Sequence, residues 1–236
     1  MRRIALLPVY NEGPTLPAVL DRLVPACDAV IAIDDGSGDD SFDILRAWAG
    51  RSAKVTAIRS DANAGKSRAL EIGFREVLKR LDQGLVGPSD AVITMDADGQ
   101  IPPGIVDDAC PAFEARGLDM LIGARDLGLY PPVKRLGNAL ITRVASRLTG
   151  FPFRDTLCGF RIIRAGCLAG ILESYRARGY SCEQEISMIG VMRGLRTAND
   201  LAVPTAHFRS NSTWRDAVQI VIASLRTWRR LRRAPR

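Results

Sequence analysis

Two aspartates stand two positions apart in the stretch TMDADGQ (94–100), directly after a run of small and apolar residues. Side chains alternate along a strand, so Asp96 and Asp98 would project the same way and repel each other unless a positive charge lay between them. The simplest such charge is a hard divalent cation, because these ions prefer oxygen ligands. The alternative is that Asp98 and Gly99 only form a turn.

Continuous apolar runs alternate with helix-like stretches along most of the chain. Such runs are typical of strands that are buried on both faces of a parallel sheet. They lie at 4–9, 29–34, 54–59, 91–96 and 119–125. The clearest helix is predicted at 67–82, where apolar residues recur at helical spacing. This alternation predicts an α/β fold with a mostly parallel central sheet flanked by helices.

The strand ends predict where the site lies. In α/β sheets, ligands bind beyond the carboxyl ends of the parallel strands. All five predicted strands lead into polar stretches that contain glycine. Polar turns are common at such positions, but here two carboxylate pairs, Asp34 with Asp35 and Asp96 with Asp98, should meet on neighbouring strands. We therefore expect a functional site at this edge of the sheet.

Two other nucleotide-binding patterns are incomplete. NAGKS (63–67) resembles the end of a phosphate-binding loop, but Ser60 stands where GxxxxGK[ST] requires glycine. The first strand leads into a stretch with one glycine, Gly13, and not into GxGxxG. A P-loop nucleotide hydrolase and a dinucleotide dehydrogenase are therefore disfavoured.

Cysteine usage and hydropathy indicate the cellular setting. The five cysteines are odd in number and form no CxxC pair, which is typical of reduced thiols in the cytosol. No segment approaches the roughly 18 continuous apolar residues of a membrane-spanning helix. The N-terminal MRRIALLPV favours a first strand over a signal peptide, which needs a longer apolar run. These features predict a cytoplasmic protein.

Five stretches carry a family resemblance. They are PVYNEG (8–13), DDGSGD (34–39), NAGKSRAL (63–70), DADGQ (96–100) and DTLCGFR (155–161). In this order and spacing they resemble inverting glycosyltransferases of family 2, and within that family the polyprenyl-phosphate sugar transferases related to dolichyl-phosphate mannose synthase. The likeness runs from about residue 3 to about residue 220 and implies a single Rossmann-like GT-A domain over 1–213.

The resemblance implies a metal-dependent transfer of a sugar from a GDP- or UDP-sugar donor. Asp98 and Gln100 resemble the ligands of Mg²⁺ or Mn²⁺, and His207 is a further candidate ligand. Such an ion neutralises charge on the departing nucleoside diphosphate. The residues implied to bind the nucleotide-sugar are Pro8, Tyr10, Asn11, Glu12, Asp34, Asp35, Lys66, Asp96, Ala97 and Arg209.

The implied acceptor is a polyprenyl or dolichyl phosphate, and the implied catalytic residues are Asp98, Arg125, Arg161 and Glu185. A lipid phosphate is already anionic at neutral pH, so it can attack without a general base, whereas a sugar hydroxyl must lose a proton. The late acidic residues, Glu183 and Glu185, are two positions apart and cannot share a helix face. At most one of them should therefore point at the substrate.

The C-terminal residues 214–236 form a basic amphipathic segment. Apolar residues recur at helical spacing from Trp214, and six of the net seven positive charges lie in RTWRRLRRAPR (226–236). We expect a helix that belongs to the same domain. Its arginines favour contact with an anionic membrane surface, which would place the protein peripherally at the cytoplasmic face. The alternative is a docked helix with a solvated tail.

Two other functions remain open at this stage. The chain could transfer sugar to a hydroxyl of a soluble glycan, protein or small molecule. It could also be a non-catalytic module that binds a nucleotide-sugar or a nucleic acid. Clustered carboxylates have no use in binding a phosphate backbone, so no nucleic-acid partner is expected.

Overall fold

The computed structural model describes residues 1–206 and 213–233. The strands within these residues are β1 Arg3–Val9, β2 Ala29–Asp34, β3 Val55–Arg59, β4 Ala91–Thr94, β5 Met120–Arg125, β6 Arg161–Arg164 and β7 Thr197–Val203. The helices are α1 Leu16–Ala26, α2 Ser41–Arg51, α3 Lys66–Asp82, α4 Ile105–Ala115, α5 Pro132–Thr149, α6 Leu168–Ser174, α7 Cys182–Met192 and α8 Trp214–Arg233.

The strands form one sheet in the order β3-β2-β1-β4-β6-β5-β7. Every neighbouring pair is parallel except the two made by β6, which runs antiparallel to both β4 and β5. The predicted α/β class and mostly parallel sheet are confirmed. Two strands were not predicted. The antiparallel strand β6 has four residues and begins at the last residue of the polar DTLCGFR stretch, and β7, TANDLAV, has no continuous apolar run.

The central strands are apolar throughout because both faces of the sheet are covered. In β1, Ala5, Leu7 and Val9 pack on the side of α1 and α4, while Ile4 and Leu6 pack on the side of α3 and α7. All five side chains are at most 1% exposed. Burial on both faces removes the alternating polar pattern of a half-exposed strand. The register then fixes the strand ends: Val9 of β1 pairs with Asp34 of β2.

Helix α8 packs against α5 and α7 through a partly polar interface. Gln184 donates to Ser224 Oγ, and Glu185 accepts hydrogen bonds from Thr227 Oγ1 (3.1 Å) and from Arg230. Burial raises the pKa of Glu185. No helix in residues 1–206 or 213–233 combines the length and the apolar character needed to cross a bilayer.

We expect Arg230→Gln to lower the free energy of unfolding by about 2 kcal/mol, the loss typical of a hydrogen bond to a charged group. Glu185 keeps donors in Thr227 Oγ1 and in the Arg176 amide (3.2 Å), so the loss should not be larger. Urea unfolding measures it. Arg229→Gln, at an exposed position next in sequence, is the matched control and should change little. Equal stability of the two variants would contradict this assignment.

Candidate active site

The loops after β1 and β2 hold each other in place at the carboxyl edge of the sheet. The Asn11 amide donates to Ser37 Oγ (3.0 Å), and Asn11 Oδ1 accepts from the Gly38 amide (2.8 Å). The Glu12 amide donates to Ser41 Oγ (2.9 Å). Asn11 has a φ of 54°, a left-handed conformation that asparagine tolerates better than most residues. The PVYNEG and DDGSGD stretches therefore form one rigid surface.

The acidic pair at the end of β2 has two different roles. Asp35 accepts hydrogen bonds from the Ala64 and Gly65 amides (3.1 and 2.7 Å), which holds the NAGKS loop against β2. Asp34 is fully buried, and its Oδ2 accepts from the Ser37 amide and faces Arg59. Its Oδ1 has no hydrogen-bond partner among the described residues. A buried acceptor without a protein donor is a position where a water molecule or a ligand can supply the hydrogen bond.

Lys66 joins three elements at the site. Its ammonium group contacts Oδ1 of Asp96, after β4, and Oε1 of Glu183, in the first turn of α7. Burial alone would lower the pKa of Lys66, but the two carboxylates raise it above its ordinary value. Burial alone would raise the pKa of Glu183. The positive charges of Lys66 and Arg161 outweigh the effect of burial and lower this pKa to about 2. Lys66 is therefore held charged between two carboxylates.

Asp98 is left with fewer cationic neighbours than Asp96. Burial and the nearby Asp96 raise its pKa. The carboxylate accepts from the backbone amide of Gln100 (3.0 Å) and from its Nε2 (2.8 Å), while Gln100 Oε1 accepts from the Tyr130 hydroxyl (3.2 Å). A positive charge placed beside Asp98 would relieve the repulsion that raises this pKa.

Arg125 lies beyond Tyr130 in the same network. Its guanidinium makes a two-pronged contact with Asp155, from Nε to Oδ2 (2.7 Å) and from Nη2 to Oδ1 (3.1 Å), and it faces the Tyr130 hydroxyl from Nη1. Asp155 and Tyr130 are buried. The network connects the end of β5 to the Asp98 turn, so Arg125 supports the position of Gln100 through Tyr130.

Gly159 allows the DTLCGFR stretch to lie against the paired aspartates. A Cβ atom at this position would fall 2.7 Å from Cγ of Asp96, which is closer than nonbonded atoms approach. The neighbouring backbone is also tied to β4, because Thr94 Oγ1 donates to the Gly159 carbonyl (3.1 Å). The stretch therefore requires glycine here for close approach to Asp96.

We expect Gly159→Ala to lower kcat/KM for the nucleotide-sugar by roughly tenfold to a hundredfold, with a raised KM, because a displacement of about 1 Å at a reacting centre can reduce activity about 10²-fold. Asp96 is 30% exposed at its side chain and can move aside, so the melting temperature should change little. Gly137→Ala in α5, where a Cβ meets open space, is the control and should leave KM unchanged. An unchanged KM in Gly159→Ala would mean that Asp96 does not contact the donor.

Two of the residues predicted to be catalytic have structural partners instead. Arg161 is fully buried, and its guanidinium donates to the Cys158 and Thr156 carbonyls and to Ser187 Oγ. Glu185 faces α8 and contacts Arg230. These placements argue against direct contact of either residue with substrate, because their charged groups already bind other residues of the protein. As expected, Glu183 and Glu185 point to different faces of α7.

The remaining predicted residues divide between the site and the undescribed part of the chain. Pro8 lies in the last two residues of β1, and Tyr10, which follows the strand, is 46% exposed. Ala97 is buried, and its carbonyl accepts a hydrogen bond from Thr15 Oγ1 (3.0 Å). His207 and Arg209 lie outside the described residues. Within the described residues, no three His, Cys, Asp or Glu side chains are arranged to hold a metal by themselves.

No sequence pattern assigns a site role to Tyr130 or Asp155, and the pattern around Glu183 indicates only a possible base. The contact of Glu183 with Lys66 depends on how α7 crosses α3. Tyr130 stands in a short stretch, RDLGLYPP (125–132), that gives no pattern. Asp155 is the first residue of the DTLCGFR stretch. An acidic residue six positions before Arg161 in that motif is the feature of the sequence that could have identified it.

The fold and the carboxylate motifs at its sheet edge define a glycosyltransferase of the GT-A type. The chain belongs to glycosyl transferase family 2, whose profile matches residues 5–173. This confirms the family resemblance and the enzyme class.

Curated relatives include undecaprenyl-phosphate 4-deoxy-4-formamido-L-arabinose transferases. The protein from Edwardsiella ictaluri is 28% identical over 209 residues, covering 86% of this chain and 58% of its own length. The protein from Aeromonas hydrophila is 31% identical over 174 residues, covering 71% of this chain and 50% of its own length. This chain thus spans about half the length of the curated relatives that it matches.

Solved structures support the same fold. Glucosyl-3-phosphoglycerate synthase from Mycobacterium tuberculosis, in complex with Mn²⁺, UDP and phosphoglyceric acid, superposes with a TM-score of 0.69 at 19% identity, covering 100% of this chain and 80% of that chain. The complex of the same enzyme with Mn²⁺ and UDP-glucose gives 0.68 at 22% identity, covering 96% and 78%. The similarity establishes the GT-A architecture.

Proposed function

We propose that this chain is a metal-dependent inverting glycosyltransferase that moves a sugar from a nucleoside diphosphate to a polyprenyl phosphate. The observation that carries the proposal is the placement of Asp34, Asp96 and Asp98 at the carboxyl ends of β2 and β4, the two strands that flank β1. Lys66 is fixed beside them, between Asp96 and Glu183. The undecaprenyl-phosphate transferases among the relatives support the acceptor class.

The donor nucleotide would lie on the surface made by the β1 and β2 loops. The unpartnered Oδ1 of buried Asp34 can accept a hydrogen bond from the base or ribose. Tyr10, in the loop after β1, is exposed and can cover the base with its ring. The Asn11 and Asp35 side chains accept hydrogen bonds from the Gly38 and Gly65 amides and keep this surface preorganised, which reduces the ordering cost of binding.

The residues present fit Mg²⁺ or Mn²⁺. Asp98, whose pKa is raised by burial and by Asp96, and Gln100 offer oxygen donors of the type that hard cations prefer. Two protein ligands leave positions for diphosphate oxygens, and His207 would add a third. When bound, the ion would neutralise the negative charge that develops on the leaving nucleoside diphosphate.

The chain's own residues then orient the two substrates. Lys66 supplies a fixed positive charge beside Asp96, and the Arg125–Tyr130 pair supports Gln100 from the acceptor side. Glu183 would be a weak proton acceptor, since its pKa is lowered to about 2 and a general base works best near the ambient pH. This favours a phosphate acceptor, which has no proton to lose.

A lipid-linked acceptor requires the protein to work at a membrane. We propose a peripheral position at the cytoplasmic face, with the C-terminal arginines near anionic head groups. Removing residues 226–236 to test that contact would also disturb the fold, because Trp228 and Leu231 pack on the core and Arg230 contacts Glu185. Substitution of exposed arginines is the better approach.

The function is tested by incubating the protein with GDP- and UDP-sugars, Mn²⁺ or Mg²⁺, and either a short water-soluble polyprenyl phosphate or the matching polyprenol. We expect transfer to the phosphate and not to the alcohol, and loss of transfer in EDTA. Transfer to hydroxyl acceptors alone would favour the alternative family 2 activity. Full activity in EDTA would contradict the metal assignment.

A further inference from the structure

Helix α5 has an exposed stripe that is apolar at one end and basic at the other. Val133, Leu136 and Leu140 are 59 to 80% exposed and follow one another at helical spacing. The same stripe continues as Arg143 and Arg147, which are also exposed. Soluble proteins expose isolated apolar side chains routinely, but a continuous apolar stripe indicates a contact surface.

Helix α8, which packs against α5, repeats this arrangement. Trp214, Val218, Ile222 and Leu225 are exposed and share one face, and exposed Arg229 continues it. Eight of the twelve exposed large hydrophobic side chains in the described residues belong to α5, to α8 or to Leu129, just before α5. The apolar exposure of the molecule is therefore concentrated on two neighbouring helices.

The charges on these helices are almost all of one sign. Residues 132–149 of α5 contain four basic residues and no acidic residue. Residues 214–233 of α8 contain six arginines and one aspartate, Asp216. A surface with apolar stripes and basic flanks complements a layer that is apolar inside and anionic outside, which is the cross-section of an anionic leaflet.

We propose that α5 and α8 together form a bilayer-insertion face, defined by Leu129, Val133, Leu136, Leu140, Trp214, Val218, Ile222 and Leu225. On this assignment the apolar side chains enter the head-group region of an anionic bilayer and the flanking arginines contact lipid phosphates. The inference deepens the proposed function and rests on it for the nature of the acceptor. It goes further by assigning insertion to α5 as well as to the C-terminal helix.

The position of the face relative to the site supports this choice of partner. Leu129 and Val133 flank Tyr130, whose hydroxyl donates to Gln100 of the DADGQ stretch. The apolar stripe therefore starts within one helical turn of a residue that contacts the candidate metal site. A lipid whose chain stays in the bilayer could then present its phosphate to the site without leaving the membrane.

The test measures binding of the full chain to vesicles of equal parts phosphatidylcholine and phosphatidylglycerol, without donor or acceptor. The triple variant Val133→Ser/Leu136→Ser/Leu140→Ser should lower the partition coefficient by about tenfold or more, because each large apolar side chain favours an apolar environment. Leu85→Ser, at a 57% exposed position outside α5 and α8, is the control and should bind as the native chain does.

The charge contribution is tested with Arg143→Gln/Arg229→Gln, against Arg22→Gln/Arg46→Gln on exposed positions of α1 and α2. Only the first pair should weaken vesicle binding, and the difference should shrink with added salt, because exposed charges are screened beyond about 10 Å at 0.1 M. Equal binding by the two pairs, or by the triple variant and native chain, would overturn the proposal.

Tryptophan fluorescence locates the contact. A blue shift on vesicle addition should be lost in Trp214→Phe and kept in Trp48→Phe, since Trp48 belongs to α2 and packs against the core, away from α5 and α8. Transfer to the water-soluble acceptor should remain within about twofold in the triple variant, so a failed insertion face and a failed transferase function give different results. If the native protein is a dimer, and the triple variant is a monomer that still binds vesicles, the face is an interface between copies and the proposal is wrong.

Discussion

Replacing Asp98 with asparagine should lower the rate of sugar transfer by about 10²–10³-fold. A metal ion bound beside a leaving diphosphate stabilises the transition state by several kcal/mol, and each 1.36 kcal/mol corresponds to about tenfold in rate. Asparagine keeps the shape of the side chain but removes the negative charge that attracts the ion. The effect should appear in kcat and in metal affinity together.

The same change should leave the free protein as stable as before, or slightly more stable. The pKa of Asp98 is raised in the folded state, so folding disfavours its ionised form at neutral pH. The sign follows from linkage: the folded state holds this proton more tightly than the unfolded state, so stability from this group increases as the pH falls. A neutral side chain removes that penalty at pH 7.

Thermal unfolding separates these two effects. Native protein should melt at a higher temperature when Mn²⁺ and UDP are added together, because ligands that bind only the folded state stabilise it. Asp98→Asn should show no such shift, while Asp108→Asn, at an exposed position in α4, should respond like the native chain. A full Mn²⁺-dependent shift in Asp98→Asn would exclude Asp98 as a ligand.

The fold was predictable because the strong patterns coincide with the interior. The five predicted strands match β1 to β5 within two residues at each end, since strands buried on both faces produce uninterrupted apolar runs. Helix α3 begins at Lys66, one residue before the predicted start. Strand β6 escaped prediction because it has four residues and depends on pairing with β4 and β5 rather than on its own pattern.

The site was predictable only where motifs follow a strand directly. Asp34, Asp35, Asp96 and Asp98 were identified because a strand end fixes their location. Contacts between elements were not accessible, because they depend on packing angles. Lys66 could be assigned to the donor side, but not to a contact with Glu183, which lies more than a hundred residues later. For the same reason the sequence did not separate the roles of Glu183 and Glu185.

Replacing Lys66 with methionine should lower the free energy of unfolding by about 3 kcal/mol and abolish most transfer. Removing one partner of a largely buried charge network typically costs about 3–5 kcal/mol, because the charges left behind are unpaired. Here the remaining groups are two carboxylates, Asp96 and Glu183, that no longer have a cation between them. Their side chains are 30% and 9% exposed, so water reaches Asp96 and the loss should lie near the lower limit.

A double-mutant cycle distinguishes the charge network from simple loss of packing. Glu183→Gln alone leaves Lys66 paired with Asp96 and should reduce stability less than Lys66→Met does. In the Lys66→Met/Glu183→Gln variant one unpaired carboxylate is gone, so at least half of the lost stability should return. Transfer should stay low, because the positive charge beside Asp96 is still missing.

Lys79→Met, on the exposed side of the same helix, is the control and should change stability by less than about 0.5 kcal/mol. If the double variant is as unstable as the sum of the single variants, Lys66 and Glu183 act independently. Lys66 would then be a donor ligand whose contact with Glu183 is incidental, and its loss should raise the KM for the nucleotide-sugar equally with Glu183 or with Gln at position 183.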